Sequence, residues 1–166
     1  MMDSRYRYVV DANVIFDADK GGILHEMFRL PFIFITSDFI AHRELLDPPF
    51  AELHKLGLHK LELTGPQIPQ IFQIRSTHKE LSIQDISVFL LARDQGLVLL
   101  SGEKSLRNFA ESAGITVHGT LWLVDKLIEE RIITRNNATL AIRQMQANGR
   151  FLPKEECDQR FEKWKE

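Results

Sequence analysis

The sequence predicts an α/β fold built around a parallel sheet, and two observations indicate it. Short apolar runs recur along the chain, uninterrupted by polar residues as in strands that are buried on both faces. Segments with apolar residues spaced by three and four separate most of these runs, as in βαβ units. With 166 residues, 44% hydrophobic and 27% charged, the chain has the size and composition of one domain with its own core.

Five segments have the composition of strands, rich in β-branched, aromatic and leucine residues. They are Tyr6–Val10, Phe32–Thr36, Leu61–Thr64, Leu97–Ser101 and Ile115–His118.

Helical spacing is found in three segments between or after these strands. Its apolar positions are Phe39, Ile40, Leu45 and Leu46; then Leu81, Val88, Phe89 and Ala92; then Leu121, Val124, Leu127 and Ile128. Gly114 follows Leu106–Ala113 and predicts the end of a further helix. Pro48-Pro49 and Gly65-Pro66 predict turns in the middle of the chain.

The character of the chain changes after Thr134, which divides a main domain of residues 1–134 from a helical extension of residues 135–166. The extension carries many basic residues on two helical stretches, which are broken near Gly149 and Pro153. We expect it to pack on the main domain through Leu140, Ile142, Met145 and Phe151. A surface for RNA or a protein partner is the alternative interpretation of its charge.

Composition sets limits on the class of protein. The net charge of -2 and pI near 6.3 argue against gripping nucleic acid by an overall positive field, so any RNA contact must be local. The single cysteine, Cys157, excludes an internal disulfide. Asp3 and Arg5 lie where a signal peptide would have its uncharged core, so we expect no export signal. No apolar run approaches the roughly 20 residues of a membrane span. We expect a soluble, cytoplasmic protein.

Three acidic residues occupy positions where parallel α/β folds bind ligands, outside the carboxyl ends of the strands. Asp11 directly follows the first strand, although Asp followed by Ala-Asn is also typical of turns. Asp85 completes a capping box with Ser82 and shares a helix column with apolar residues, so its carboxylate should point toward the sheet. Glu103 lies between a strand and the helix that begins near Lys104.

Three carboxylates held at one sheet edge would repel each other, and a divalent cation would offset that repulsion. Oxygen ligands of this kind suit Mg²⁺ or Mn²⁺ better than zinc. Glu44 lies one turn after Ile40, where a solvated side chain is the ordinary interpretation. Its local sequence therefore does not indicate that Glu44 belongs to the site.

Four stretches together resemble the PIN domains of VapC-type toxins and related prokaryotic proteins, over nearly the whole chain. They are residues 9–15 (VVDANVI), residues 37–46 (SDFIAHRELL), residues 81–92 (LSIQDISVFLLA) and residues 98–103 (VLLSGE). A later stretch, Gly119-Thr120-Leu121, resembles one PIN subgroup. The resemblance implies a three-layer α/β/α fold with a central parallel sheet and an acidic metal site at its C-terminal edge.

The resemblance also assigns roles to individual residues. It implies that Asp11, Glu44 and Asp85 match the first three acids of the family pattern, which hold Mg²⁺ or Mn²⁺ for RNA hydrolysis. Asn13 and Ser101 match polar residues that accompany the metal. At the fourth position, where Asp or Asn is common, this chain has Glu103, so a second metal is left open. We assign all four acids as candidate catalytic residues and metal ligands.

Further expectations concern the substrate and partners. Arg93, Lys104 and Arg107 are candidate phosphate contacts beside the acidic edge, although surface cations on helices are usually solvated. The histidines show no metal-binding spacing and receive no role. The resemblance implies RNA as the substrate and an antitoxin protein as a partner, and homodimers are common in such domains.

Two other functions compete with a ribonuclease. One is a PIN-like module without activity that binds RNA or a protein, and the departure at Gly102-Glu103 motivates it. The other is a haloacid-dehalogenase-type phosphatase, which also places an Asp after its first strand. That chemistry requires a second Asp two residues on, where this chain has Asn13.

Overall fold

The computed structural model describes residues 6–165, which form a five-stranded, fully parallel sheet. Asp3 and Arg5, on which the expectation about export depends, lie outside the described residues. In chain order, the strands are β1 (Arg7–Val10), β2 (Ile33–Ser37), β3 (His59–Leu61), β4 (Val98–Leu100) and β5 (Val117–His118). Their order in the sheet is β3-β2-β1-β4-β5, so β1 is central.

Four of the five predicted strands are confirmed with small shifts at their ends, because their apolar residues are the core of the sheet. The third prediction is displaced: the strand is His59–Leu61 and not Leu61–Thr64. This strand lies at the edge of the sheet, and His59 and Lys60 are exposed. An edge strand with exposed polar residues lacks the apolar run by which buried strands are recognised.

Helices cover both faces of the sheet. They are α1 (Ala12–Lys20), α2 (Leu24–Met27), α3 (Asp38–Arg43), α4 (Phe50–Leu56), α5 (Gln67–Thr77), α6 (Ile83–Gln95), α7 (Lys104–Ser112), α8 (Thr120–Glu129), α9 (Arg135–Ala147) and α10 (Lys154–Lys163). One layer contains α1, α2, α8, α9 and α10, and the other contains α3, α5, α6 and α7. The predicted three-layer α/β/α fold is confirmed.

The helix predictions hold in their cores and fail at two ends. Leu45 and Leu46 both lie beyond the end of α3, Leu45 buried and Leu46 70% exposed, and Leu81 is buried two residues before α6 begins. Gly114 has φ +84° just after α7, in the left-handed region that glycine adopts without strain, so the predicted stop is confirmed. Both predicted turns also lie outside helices.

The helices of the extension pack on the layer that contains α1 and α8. Ile142 and Met145 belong to the hydrophobic core, as expected. Leu140 and Phe151 do not, since they are 60% and 98% exposed, so their expected packing role was wrong. Leu140 lies on the outer face of α9, and Phe151 lies in the linker before α10. The division at residue 134 stays a prediction.

Within residues 6–165, no helix combines the length and the apolar character needed to cross a membrane.

The contact between α1 and α9 gives a first testable prediction. A Cβ at Gly21 would lie 2.6 Å from Cε of Met145 and 3.0 Å from the carbonyl oxygen of Ala141. Because Met145 is fully buried, Gly21→Ala should lower the free energy of unfolding by about 1–3 kcal/mol in urea titrations. Gly65→Ala is the matched control, since a Cβ there meets no atom within 4 Å. Equal stability of the two variants would show that α9 does not pack on α1 in this way.

Candidate active site

The sheet register brings two polar residues together at the C-terminal edge. Val10 pairs with Leu100, so Asp11 and Ser101 follow side by side at the ends of β1 and β4. The main-chain N–H of Asp11 donates to the carbonyl of Leu100 over 2.9 Å, which continues the ladder to the edge itself. Both side chains are therefore placed by strand pairing and not by a flexible loop.

The Asp11 carboxylate is only 2% exposed, and both of its oxygens accept hydrogen bonds. Oδ1 accepts from the main-chain N–H of Ala12 over 2.9 Å, which makes Asp11 the N-cap of α1. Oδ2 accepts from the hydroxyl of Ser101 over 3.1 Å. The hydroxyl of Ser101 in turn accepts from the main-chain N–H of Glu103 over 3.1 Å. Ser101 thus orients Asp11, as expected of a residue that supports a ligand.

The other two acids come from α3 and α6, in the opposite helix layer. Glu44 is the C-cap of α3, and its main-chain N–H donates to the carbonyl of Ile40 over 2.9 Å. Asp85 forms the predicted capping box: its Oδ2 accepts from the N–H of Ser82, and its own N–H donates to the Ser82 hydroxyl. Both side chains are half-buried. The negative charge of Asp85 raises the pKa of Asp11, which is consistent with the expected orientation of the Asp85 carboxylate toward the site.

A buried pair of hydroxyls ties α3 to α6. Ser37 is the N-cap of α3, and its Oγ lies 2.6 Å from Oγ of Ser87 on α6. The Ser87 hydroxyl also donates to the carbonyl of Gln84. Both serines are fully buried. This link fixes the two helices relative to each other, and with them Glu44 and Asp85.

The charges of the three acids act on one another. Burial, first of all, and the negative charges of Asp85 and Glu44 together raise the pKa of Asp11 from 3.8 to about 7, against the lowering effect of its hydrogen bonds. Burial and the charge of Asp85 also raise the pKa of Glu44. Each carboxylate would be stabilised by a cation placed among them.

The donor set fits a hard divalent cation, since the acids offer only oxygen atoms. Among residues 6–165, however, no three acidic, histidine or cysteine side chains lie close enough together to hold a metal ion as they stand. Coordination of one ion by all three acids would therefore require their side chains to draw closer than they are here.

Glu103 and Asn13 line a neighbouring cavity of about 280 Å³, together with Asp17 and Arg150. Glu103 is the N-cap residue of α7, as the sequence indicated, and it is not among the charges that act on the pKa of Asp11. Asn13 accepts a hydrogen bond from Arg150 through its main-chain carbonyl, over 3.4 Å. Both residues lie at the acidic edge, on the side that faces the extension.

Two of the three candidate phosphate contacts lie near this edge. The guanidinium of Arg107 donates to the carbonyl of Ser101 over 3.4 Å, and Lys104 is exposed at the start of α7. A Cβ at Gly119 would lie 2.9 Å from Nη1 of Arg107, so glycine leaves room for this approach.

The expected position of Arg93 beside the acids was wrong. Arg93 lies eight residues after Asp85 on α6, which places it about 12 Å further along the helix. There it donates to Asp94 over 2.7 Å and to Gln70 over 2.6 Å, next to a cavity lined by the residues that precede β4. Because α6 runs antiparallel to the strands, its C-terminal end lies at the opposite edge of the sheet.

Sequence reasoning missed a buried polar cluster next to the acids. Asp17 is 5% exposed and accepts from Thr120 Oγ1 and from Arg150 Nε, both over 2.6 Å. It lies four residues after Asn13 on the buried face of α1. An acid on an otherwise apolar helix face was the available signal, because a buried carboxylate requires a partner. The partner could not be predicted, since Arg150 is 133 residues away.

The parallel sheet, its two helix layers and the acids at one edge define a three-layer α/β/α domain with an acidic C-terminal edge. Residues 7–166 match the family described as DUF3368: PIN domain, and the chain belongs to the PIN-domain family. Divalent metals are typical of this family. Membership favours a nuclease over the haloacid-dehalogenase interpretation.

The fold is also similar to a solved structure, a PilT N-terminus domain protein, SSO1118, from the hyperthermophilic archaeon Sulfolobus solfataricus P2. The two share 12% identity with a TM-score of 0.53, over 74% of this chain and 94% of that one. At this identity, the similarity shows the fold alone. No curated protein matches the chain significantly.

The raised pKa of Asp11 predicts that the free energy of unfolding of the metal-free protein depends on pH. Between its ordinary pKa of 3.8 and about 7, the folded state binds the proton more tightly than the unfolded state does, so stability falls as pH rises through this window. In EDTA at pH 8, Asp11→Asn should therefore stabilise the protein by about 1–3 kcal/mol, within the limit of about 1.4 kcal/mol per pKa unit. At pH 5 the difference from wild type should be clearly smaller, because most of the window between 3.8 and about 7 lies above that pH, and it should vanish only below 3.8.

Urea titrations at both pH values measure this difference, and Glu52→Gln on the exposed face of α4 controls for the loss of an acid. Destabilisation by Asp11→Asn at pH 8 would contradict the electrostatic account. Addition of Mn²⁺ should raise the stability of the wild type at pH 8 and leave Asp11→Asn unchanged, because binding to the folded state alone stabilises it.

Proposed function

We propose that this protein is a divalent-metal-dependent endoribonuclease that hydrolyses RNA phosphodiester bonds. The observation that carries the proposal is the buried Asp11 carboxylate at the C-terminal edge of the sheet, whose pKa is raised to about 7 by burial and by the charges of Asp85 and Glu44. A fold that only needed a helix cap could use an uncharged residue there. Three acids that destabilise one another at a ligand-binding edge are typical of functional sites.

In the proposed site, Asp11 and Asp85 are the principal ligands of Mg²⁺ or Mn²⁺. A divalent cation supplies Lewis-acid activation of water and neutralises charge that develops on the phosphoryl oxygens. Glu44, whose pKa is raised, is a ligand or the base that orients the attacking water. Glu103 is a carboxylate of a second metal site or of the outer shell of the first. Ser101 and Asn13 support the ligands through hydrogen bonds. Arg107 and Lys104 contact the RNA backbone.

The most direct test compares wild type with variants that remove one charge and preserve the fold. Asp85→Asn retains an oxygen that can accept the capping-box hydrogen bond from Ser82, so it separates metal binding from capping. Cleavage of tRNA, rRNA fragments and generic RNA should require Mg²⁺ or Mn²⁺ and stop in EDTA. Asp11→Asn and Asp85→Asn should each lower the rate more than Ser101→Ala, for which about 10- to 100-fold is expected.

Glu52→Gln on α4, which changes an exposed side chain paired only with Lys55 among the ion pairs described, should cleave at the wild-type rate. Equal residual activity in wild type and Asp11→Asn would overturn the nuclease proposal. In that case the inactive, RNA- or protein-binding PIN module, motivated by Gly102-Glu103, would replace it.

We also propose that the ribonuclease is the cytoplasmic toxin of a toxin–antitoxin pair, in line with the resemblance of its motifs to VapC-type domains. A short antitoxin would then cover the acidic edge and block entry of RNA. Expression of the chain alone in a bacterial host should arrest growth, and Asp85→Asn at the same protein level should not. Harmless overexpression of an enzyme that is active in vitro would contradict the toxin role. Homodimerisation stays a prediction that sedimentation measurements can check.

A further inference from the structure

Phe151 is an aromatic residue with an unusual position. Its side chain is 98% exposed, and it borders two cavities. One is the cavity of about 280 Å³ that contains Asn13 and Glu103 at the acidic edge. The other is a cleft of about 240 Å³ that Arg107 and Trp122 help to line. A single exposed apolar residue is ordinary on protein surfaces, so the attachment and the neighbours of Phe151 decide what it can do.

The residue before Phe151 is firmly attached to the core. Arg150 donates from Nε to the buried carboxylate of Asp17 over 2.6 Å and from Nη2 to the carbonyl of Asn13 over 3.4 Å. Its own main-chain N–H donates to the carbonyl of Met145 over 2.9 Å. Since Asp17 is 5% exposed, this ion pair is shielded from solvent. The backbone from which the Phe151 side chain extends is therefore anchored to α1 and α9 through Arg150.

The cleft beyond Phe151 is lined by flat rings and by charges of both signs. The charged residues are Arg107 and Arg160, which are positive, and Asp17 and Glu156, which are negative. Trp122 stacks on His118 with ring centroids 4.5 Å apart and an interplanar angle of 3°. Arg107 lines the same cleft and reaches the carbonyl of Ser101, which connects it to the acidic edge. A volume of about 240 Å³ lies just below the roughly 300–1,000 Å³ of drug-sized sites, so it suits one nucleobase.

Gly102 borders both the cleft and the cavity at the acidic edge. It is exposed, and a Cβ added there would meet no atom within 4 Å. The backbone at Gly102 therefore forms an open passage between the two spaces. A polymeric ligand that extended from the acids into the cleft would pass over Gly102.

We propose that this cleft binds one unpaired RNA base beside the catalytic site, with Phe151 as the ring on which the base stacks and Arg107 as a contact for the adjoining phosphate. The inference rests on the proposed function, because it takes RNA as the substrate. Stacking on an exposed ring requires a free base face, which single strands offer and A-form duplexes do not. The net charge of the chain is negative, so a local ring and a local cation must supply the affinity.

The test measures binding of a fluorescein-labelled, mixed-sequence, single-stranded oligoribonucleotide by anisotropy, in EDTA so that cleavage does not interfere. Phe151→Ala should weaken binding by about 5- to 100-fold, the range expected from loss of one stacked base. Phe151→Tyr keeps the ring and should bind like wild type. Phe72→Ala is the control, since Phe72 on α5 is also exposed, at 57%, and lines neither cavity.

Two further variants test the path of the RNA. A Cβ at Gly102 meets no atom within 4 Å, so Gly102→Leu should weaken binding by obstructing this space while it leaves thermal stability unchanged. Arg107→Gln should weaken binding more than Arg75→Gln, which removes an exposed charge on α5. The duplex form of the probe should bind more weakly than the single strand and should not respond to Phe151→Ala.

Binding by Phe151→Ala that equals wild type, or equal loss in Phe72→Ala, would overturn the inference and leave the cleft open to a protein partner. No binding by wild type would overturn it as well. Stabilisation by Mn²⁺, measured separately, reports on the metal site and not on the cleft. Phe151-dependent binding without any cleavage would support the base site and contradict the nuclease proposal.

Discussion

The fold positions one buried carboxylate, and the candidate site depends on it. Asp11 ends the central strand, caps α1 and accepts the hydroxyl of Ser101 from the neighbouring strand, so strand pairing, helix capping and the site share one side chain. Placing this carboxylate next to Asp85 and Glu44 opposes folding in the absence of a cation. The large apolar core on both faces of the sheet offsets this cost.

Support for the acids comes from short polar links within otherwise apolar layers. The Ser37–Ser87 hydroxyl pair joins α3 to α6 and so fixes the acids of one layer. On the other layer, Asp17 joins α1 to α8 through Thr120 and to the extension through Arg150. Every buried side-chain oxygen and nitrogen among the described residues has a hydrogen-bond partner. Such complete pairing avoids the free-energy penalty of unpaired polar groups in both helix layers.

Most of the sheet could be predicted from the sequence, because parallel strands buried on both faces are apolar without interruption. The edge strand β3 was displaced, since its exposed His59 and Lys60 carry no such signal. The position of Asp11 followed from the end of a strand, and the capping box of Asp85 followed from local spacing. Glu44 was recognised only through the family resemblance, because a residue at the end of a short helix has no local signature.

Long-range geometry accounts for what the sequence could not show. Arg93 is on α6 with Asp85 but lies at the other end of that helix. A sequence motif does not show which edge of the sheet a cationic side chain is near. The pairing of Arg150 with Asp17 spans most of the chain, and it explains why Phe151 stands exposed beside the acids instead of packing in the core. Helical periodicity cannot distinguish a linker residue from a core residue when the linker is short.

The central claim is that the acids at the sheet edge hold a divalent metal ion. Crystals soaked in Mn²⁺ and measured at the manganese absorption edge test it most directly, because anomalous scattering locates the ion independently of the model used for phasing. The account predicts a peak in contact with the carboxylates of Asp11 and Asp85, with Glu44 drawn toward it, and it leaves a second peak at Glu103 to be decided. No peak among these acids at saturating Mn²⁺, or a peak elsewhere alone, would contradict the account.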